Sequence, residues 1–156
     1  MPGGEVVGIA LAARPRELPA PVERVRALAG RGLEGEYHFV ADGAAEPGAA
    51  ITLIAEEALD GLRADTGIDL THAASRRNVL TRGIDLNALV GRRFRVGAVE
   101  CRGIELCEPC LNLARMNDNF GVLRGLVHRG GLRADVLSDG EIALGDPIAP
   151  GDSATG

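Results

Sequence analysis

Short apolar runs that alternate with charged residues recur along this chain and fix its fold class before any other feature does. Phe94 and Val96 alternate with Arg93 and Arg95, and Leu132, Ala134 and Val136 alternate with Arg133 and Asp135. A period of two sends one face into a core and the other into solvent, as in a half-exposed strand. Further strands are expected at Glu5–Ala13, Ile51–Ile54, Val79–Thr81 and Val99–Leu106. Gly97-Ala98 can make a tight turn into the last of these, and Asp139-Gly140 predicts a hairpin whose return strand is Glu141–Ile148. One helix stands out over Ala55–Thr66, where Ala55, Leu59 and Leu62 keep helical spacing and Glu56 and Glu57 suit an N-terminus. A second, short helix is expected at Val22–Leu28. About six or seven short strands with so few helices predict a mainly β domain, a β-barrel rather than a doubly wound α/β sheet. Residues 30–50 are rich in Gly and Ala and form a long loop in the N-terminal half, of a kind that is usually functional or disordered.

A length of 156 residues fits one domain, taken as 1–149, with 150–156 as a flexible C-terminal tail. Aromatic residues make up only 3%, so the core must be aliphatic. No apolar stretch approaches the roughly 18 residues of a membrane span. The N-terminus lacks the basic leader of a signal peptide, and three cysteines crowded between 101 and 110 do not form a disulfide framework. The expected compartment is therefore the cytoplasm. A net charge of −5 argues against nucleic acid as a partner. All 17 basic residues are arginine. Without lysine there is no covalent pyridoxal-phosphate chemistry and no P-loop.

The segment Cys107-Glu108-Pro109-Cys110 carries the strongest chemical signal. Free cysteines are often no more than small buried apolar groups. Pro109, however, suits the first turn of a helix, and a helix running from Cys110 would stabilise the thiolate through its N–H groups and dipole. Glu108 opposes that effect if it faces the sulfur. Cys101, Cys107, Cys110 and a histidine could instead form a zinc site, although only one Cys-x-x-Cys pair exists. A thioredoxin-like couple would need a βαβ setting that is not evident. In Ser75-Arg76-Arg77-Asn78, guanidinium and amide groups placed directly before a strand could clamp a phosphate or a polar heterocycle, or simply form a solvated face. In His128-Arg129-Gly130-Gly131 the glycines allow backbone to approach a ligand closely beside an arginine, or only make a turn. His38 lies in the long loop.

In this order the segments GRGLEGEYH, ITLIAEEAL, SRRNVLTRGIDL, VGRRFRVGAVE, LCEPCLNLARM and RGGLRADVLSDGEIALGDPI resemble the MOSC family, named after the C-terminal domain of molybdenum-cofactor sulfurases. The likeness runs from about Val6 to Ile148 and is closest to short stand-alone bacterial members. The resemblance implies a strand-rich β-barrel and a molybdenum cofactor (molybdopterin), with Cys110 matching the cysteine that ligates molybdenum or carries sulfur. It also implies that Arg76 and Asn78, which match Arg-x-Asn, lie near the pterin and its phosphate. Arg129, Gly130 and Gly131 match the family's Arg-Gly-Gly. Where the family often reads Gly-Asp-Arg-His, this chain has Gly35-Glu36-Tyr37-His38, which keeps the histidine and lacks one cation.

Two functions follow from the resemblance. One is a molybdenum-dependent oxidoreductase component that acts on small N-hydroxylated compounds, has Cys110 as metal ligand, and takes electrons from a partner protein. Three cysteines cannot supply the usual four-cysteine iron–sulfur cluster. The other is a sulfur carrier or cofactor-delivery protein that takes a persulfide on Cys110 from a cysteine desulfurase. A third reading is an interaction module that has lost the cofactor.

Overall fold

The computed structural model describes residues 3–107 and 129–151. Among these are eleven strands: β1 (Gly4–Leu11), β2 (Ala20–Pro21), β3 (Arg24–Leu28), β4 (Gly32–Leu33), β5 (Ile51–Ala55), β6 (Val79–Arg82), β7 (Arg93–Val96), β8 (Val99–Leu106), β9 (Leu132–Val136), β10 (Gly140–Ala143) and β11 (Pro147–Pro150). Helices α1 (Glu56–Thr66) and α2 (His72–Ser75) and a 3-10 turn at Leu86–Leu89 complete the described secondary structure.

Seven strands close into a ring in the order β1, β11, β7, β8, β9, β5, β6 and back to β1. A closed ring of alternating directions needs an even number of antiparallel contacts, so a seven-strand ring must include a parallel pair. That pair is β5–β6, with Leu53 opposite Val79 and Ala55 opposite Thr81; the other six contacts are antiparallel. Parallel neighbours cannot be joined by a tight turn and need a long crossover, and here α1 and α2 fill it. The seam of the ring joins β1 to β11, with Gly4 opposite Ile148. Beside the ring, β10, β3 and β4 form a small antiparallel sheet.

The core is aliphatic, as expected. Ile51, Leu53, Leu89, Leu132, Ile142 and Ile148 are fully buried around Phe94. Strand β7 alternates as its sequence demands, with Phe94 and Val96 buried and Arg93 and Arg95 exposed. Outside the ring, Leu62 of α1 packs with Leu70, Leu59 and Ile68 in a second cluster. Helix α1 starts without a side-chain cap, with Glu56 and Glu57 in its first turn, and stops at Gly67, whose φ of 76° lets its N–H return to the Arg63 carbonyl.

Three expectations are corrected. The stretch Val22–Leu28 is not helical: Arg24–Leu28 is strand β3, with Val25 and Ala27 buried and Arg24 and Arg26 exposed. Its partner β10 lies far along the chain, with Ala27 opposite Gly140, so no local signal marks the pairing. Asp139-Gly140 does not close a β9–β10 hairpin. The Asp139 carboxylate accepts the Ala29 N–H at 2.7 Å, and the chain turns toward β3. The stretch Glu141–Ile148 is accordingly not one return strand but breaks at Leu144–Asp146 into β10 and β11, where Asp146 accepts the Ala143 N–H at 2.9 Å. Strand β11 also runs to Pro150, into the expected tail; residues 152–156 of that tail lie outside the described residues. The long loop is present over residues 34–50, between β4 and β5, while Gly32–Leu33 at its expected start forms β4.

Candidate functional site

Asn78 stands just before β6 and ties three elements together. Its Oδ1 accepts the Thr52 N–H at 3.0 Å and the Thr52 hydroxyl at 3.1 Å. Its Nδ2 donates to the Ala10 carbonyl at 3.3 Å and to Glu36 Oε2 at 3.1 Å. These four bonds use the full capacity of an amide, and the residue is only 6% exposed. Glu36 is the one buried carboxylate among the described residues. Its Oε2 also accepts the Ala12 N–H at 2.8 Å, and its Oε1 lies 3.6 Å from His38 Nδ1. His38 is half-exposed, with its ring 4.0 Å from that of Tyr37. Glu36 thus pins the long loop to the ends of β1 and β6. In the sequence its only signal is an acid two positions before the loop histidine, too weak to mark a site.

Arg76 and Arg77 part company. Arg76 caps α2 in the left-handed region, φ 62°, and its Nη1 donates to the Glu17 carbonyl at 2.7 Å. The left-handed residue turns the backbone, and Arg77 goes elsewhere: its Nε donates to the Gly130 carbonyl at 2.8 Å. The residue that joins the Arg-Asn segment to the Arg-Gly-Gly segment is therefore Arg77. His72 in α2 has Nε2 3.0 Å from the Arg77 carbonyl, and burial pushes its pKa down.

Arg129, Gly130 and Gly131 lead into β9. Gly131 has φ +108°, and a Cβ there would run into the Leu53 carbonyl of β5, so the close approach that needs glycine is to the protein's own backbone. The Gly131 carbonyl accepts the Cys107 N–H at 2.7 Å. Beside this segment lies a cleft of about 400 Å³, bounded by Glu57 and Ala58 in the first turn of α1, by the turn from Gly83 to Asn87, and by Arg129 and Gly131. Glu57 accepts the Gly83 N–H at 2.8 Å and Asp85 accepts the Asn87 N–H at 3.1 Å. Arg129 Nη2 donates to Asp65 at 2.7 Å. Sequence reasoning missed Glu57 and Asp85, because only the crossover from β5 to β6 brings them together.

The predicted residues therefore fall into two groups. Asn78 and His38 meet through Glu36 where β5 and β6 begin, with Arg76 close by in sequence. Arg129 borders the cleft, with Gly130 next to it in the chain, near the point where β8 has ended at Leu106 and Cys107 bonds Gly131. Cys110 and the helix expected after Pro109 lie outside the described residues. Cys101 does not suit a metal site: it is fully buried in the core, and burial, with Asp135 and Glu100 nearby, pushes its thiol up to about 12.

Residues 35–149 match the model of the MOSC domain. The chain belongs to the MOSC domain family. Among curated proteins, none matches it. Several solved structures share the fold of this MOSC chain, among them the following. The YuaD protein of Bacillus subtilis is 17% identical, with 94% of each chain covered and a TM-score of 0.80. YiiM from Geobacillus stearothermophilus is 17% identical over 98% of this chain and 77% of its own, with a TM-score of 0.75. YiiM from Escherichia coli is 16% identical over 95% and 70%, with a TM-score of 0.68. At these identities the likeness establishes the barrel. Among the described residues of the MOSC chain, no helix is long and apolar enough to cross a membrane.

Proposed function

We propose that this MOSC chain binds a molybdenum cofactor through Cys110 and serves as an oxidoreductase component acting on N-hydroxylated compounds. One observation carries the reading: the cleft bordered by Arg129 and Gly131 opens where Cys107, bonded to Gly131, hands the chain on to the segment containing Cys110. Cys110 follows Cys107 by three positions, a reach of at most about 11 Å.

The donor set of the cleft fits such a group. Its volume of about 400 Å³ lies within the range of small-molecule sites. Arg129 gives Asp65 one of its five N–H donors and keeps others for an anionic tail. Glu57 and Asp85 each accept one backbone N–H and retain acceptor capacity for the amino edge of a pterin. A thiolate is a suitable soft ligand for the metal. The bound cofactor would supply two-electron redox chemistry at molybdenum. Asn78 and Glu36 support the reading indirectly, by holding the His38 loop against the barrel.

Expression in a host that makes the cofactor, followed by elemental analysis and pterin fluorescence, tests the proposal. The native chain is expected to carry both molybdenum and pterin. Cys110→Ser loses the metal, while Cys107→Ser has a milder effect. Native protein free of molybdenum and pterin overturns the reading. If that protein also gained about 32 Da on Cys110 from a cysteine desulfurase, persulfide transfer would replace it.

A further inference from the structure

We propose that Gly61 and Asp65 of α1 form a seat that positions Arg129 for an oxyanion in the cleft; the inference rests on the reading above that Arg129 meets an anionic group there. Gly61 lies inside an 11-residue helix, where glycine is the poorest choice after proline. Its missing Cβ has a use, because a methyl group at this position would run into Nη1 of Arg129. Asp65 stands one turn further along the same face, and its Oδ2 takes Nη2 of Arg129 at 2.7 Å. One residue clears the path of the guanidinium and the other holds its end.

The backbone behind the arginine is held as well. Arg77 Nε bonds the Gly130 carbonyl at 2.8 Å, and the Cys107 N–H bonds the Gly131 carbonyl at 2.7 Å. Arg129 is thus restrained at both root and tip. A long side chain fixed in this way loses little rotamer freedom when an anion arrives. A merely solvated arginine would need neither the gap at Gly61 nor the carboxylate at Asp65.

Purified full-length protein is titrated with inorganic phosphate, followed by 31P NMR, and each variant's molybdenum-to-protein ratio is measured after expression in the cofactor-competent host. Arg129→Ala is expected to weaken phosphate binding by about tenfold or more. Gly61→Ala and Asp65→Asn should each weaken it by roughly threefold, and both should lower the molybdenum ratio. The thermal midpoint of Gly61→Ala should hold, or rise by about 2 °C, since alanine favours the helix and the displaced atom is a mobile side-chain tip. In an Arg129→Ala background, Gly61→Ala should change neither binding nor retention. If Gly61→Ala and Asp65→Asn bind phosphate as the native protein does while Arg129→Ala does not, the seat is refuted and the reading of the cleft stands. If Arg129→Ala binds phosphate normally, the anionic reading of the cleft fails and the seat fails with it. Loss of binding in Gly61→Ala only in step with a lower thermal midpoint would reduce the contact to a structural clamp and overturn the proposal.

Discussion

Replacing Asn78 by alanine tests whether a buried polar network holds the end of the barrel where β5 and β6 begin. The change removes two donors and one doubly used acceptor, leaving the Thr52 N–H, the Ala10 carbonyl and one lone pair of Glu36 without their partner. Each buried orphan costs about 1–3 kcal/mol, with the bond to a charged acceptor at the upper end. The Thr52 hydroxyl can rotate, and the Asn78 backbone N–H keeps the Thr52 carbonyl at 3.1 Å, so the sum stays near ~4 kcal/mol rather than the full total. For a domain of this size that lowers the thermal midpoint by about 10 °C. Urea denaturation measures the loss, and hydrogen exchange at the Ala12 amide, which donates to Glu36, should accelerate with it. Asn78→Asp supplies the sign test. It sets a second carboxylate beside Glu36, and that introduced group binds its proton more tightly folded than unfolded. Its stability deficit therefore shrinks as pH falls and grows as pH rises. A loss below about 1 kcal/mol for Asn78→Ala, or a deficit in Asn78→Asp that ignores pH, would refute the argument.

Gly131→Ala should cost roughly 3 kcal/mol or more in urea denaturation, because it combines a φ of +108° with a collision against the Leu53 carbonyl; a near-neutral result would mean that β5 and the Arg129–Gly131 segment are not in close approach. Cys101 should resist a disulfide reagent at pH 8 until the chain unfolds. Its folded thiol ionises near 12 against an ordinary value of 9.0, so the unfolded chain deprotonates first and stability should fall as pH rises through that window. His72 has the opposite sign: burial lowers its pKa below the ordinary 6.5, so the unfolded chain binds a proton that the folded one refuses, and stability should drop as pH falls below that value. His72→Gln should flatten this limb of a pH–stability curve.

The strands that carry their own alternation are legible from sequence. Arg93–Val96 and Leu132–Val136 reveal their buried faces by period alone, and Ala55–Thr66 reveals α1 by helical spacing. Strand β3 is not legible in this way, since its Arg-Val-Arg-Ala pattern waits for a partner in Gly140–Ala143. A local hairpin signal at Asp139-Gly140 is outweighed there by the bond from the Ala29 N–H to Asp139. At the site, Arg-x-Asn is visible as a polar pair before a strand, but sequence does not show that Asn78 exhausts its hydrogen bonds on Thr52, Ala10 and Glu36. Nor does it show that a left-handed turn at Arg76 makes Arg77 the link to Gly130. Glu57 and Asp85 have no motif; only the crossover brings them together.

The seam between β1 and β11 has a consequence for how the chain is made. Ribosomes release the N-terminal strand first, and its partner for closure is the last strand described. Until that partner emerges, a nascent chain carries open edges that could pair with a neighbour. Entropy penalises so distant a closure only logarithmically, yet the required search slows folding. Sealing of the barrel is thus a late step in biogenesis, and premature termination before Pro147 would leave translation products with exposed edges and a tendency to aggregate.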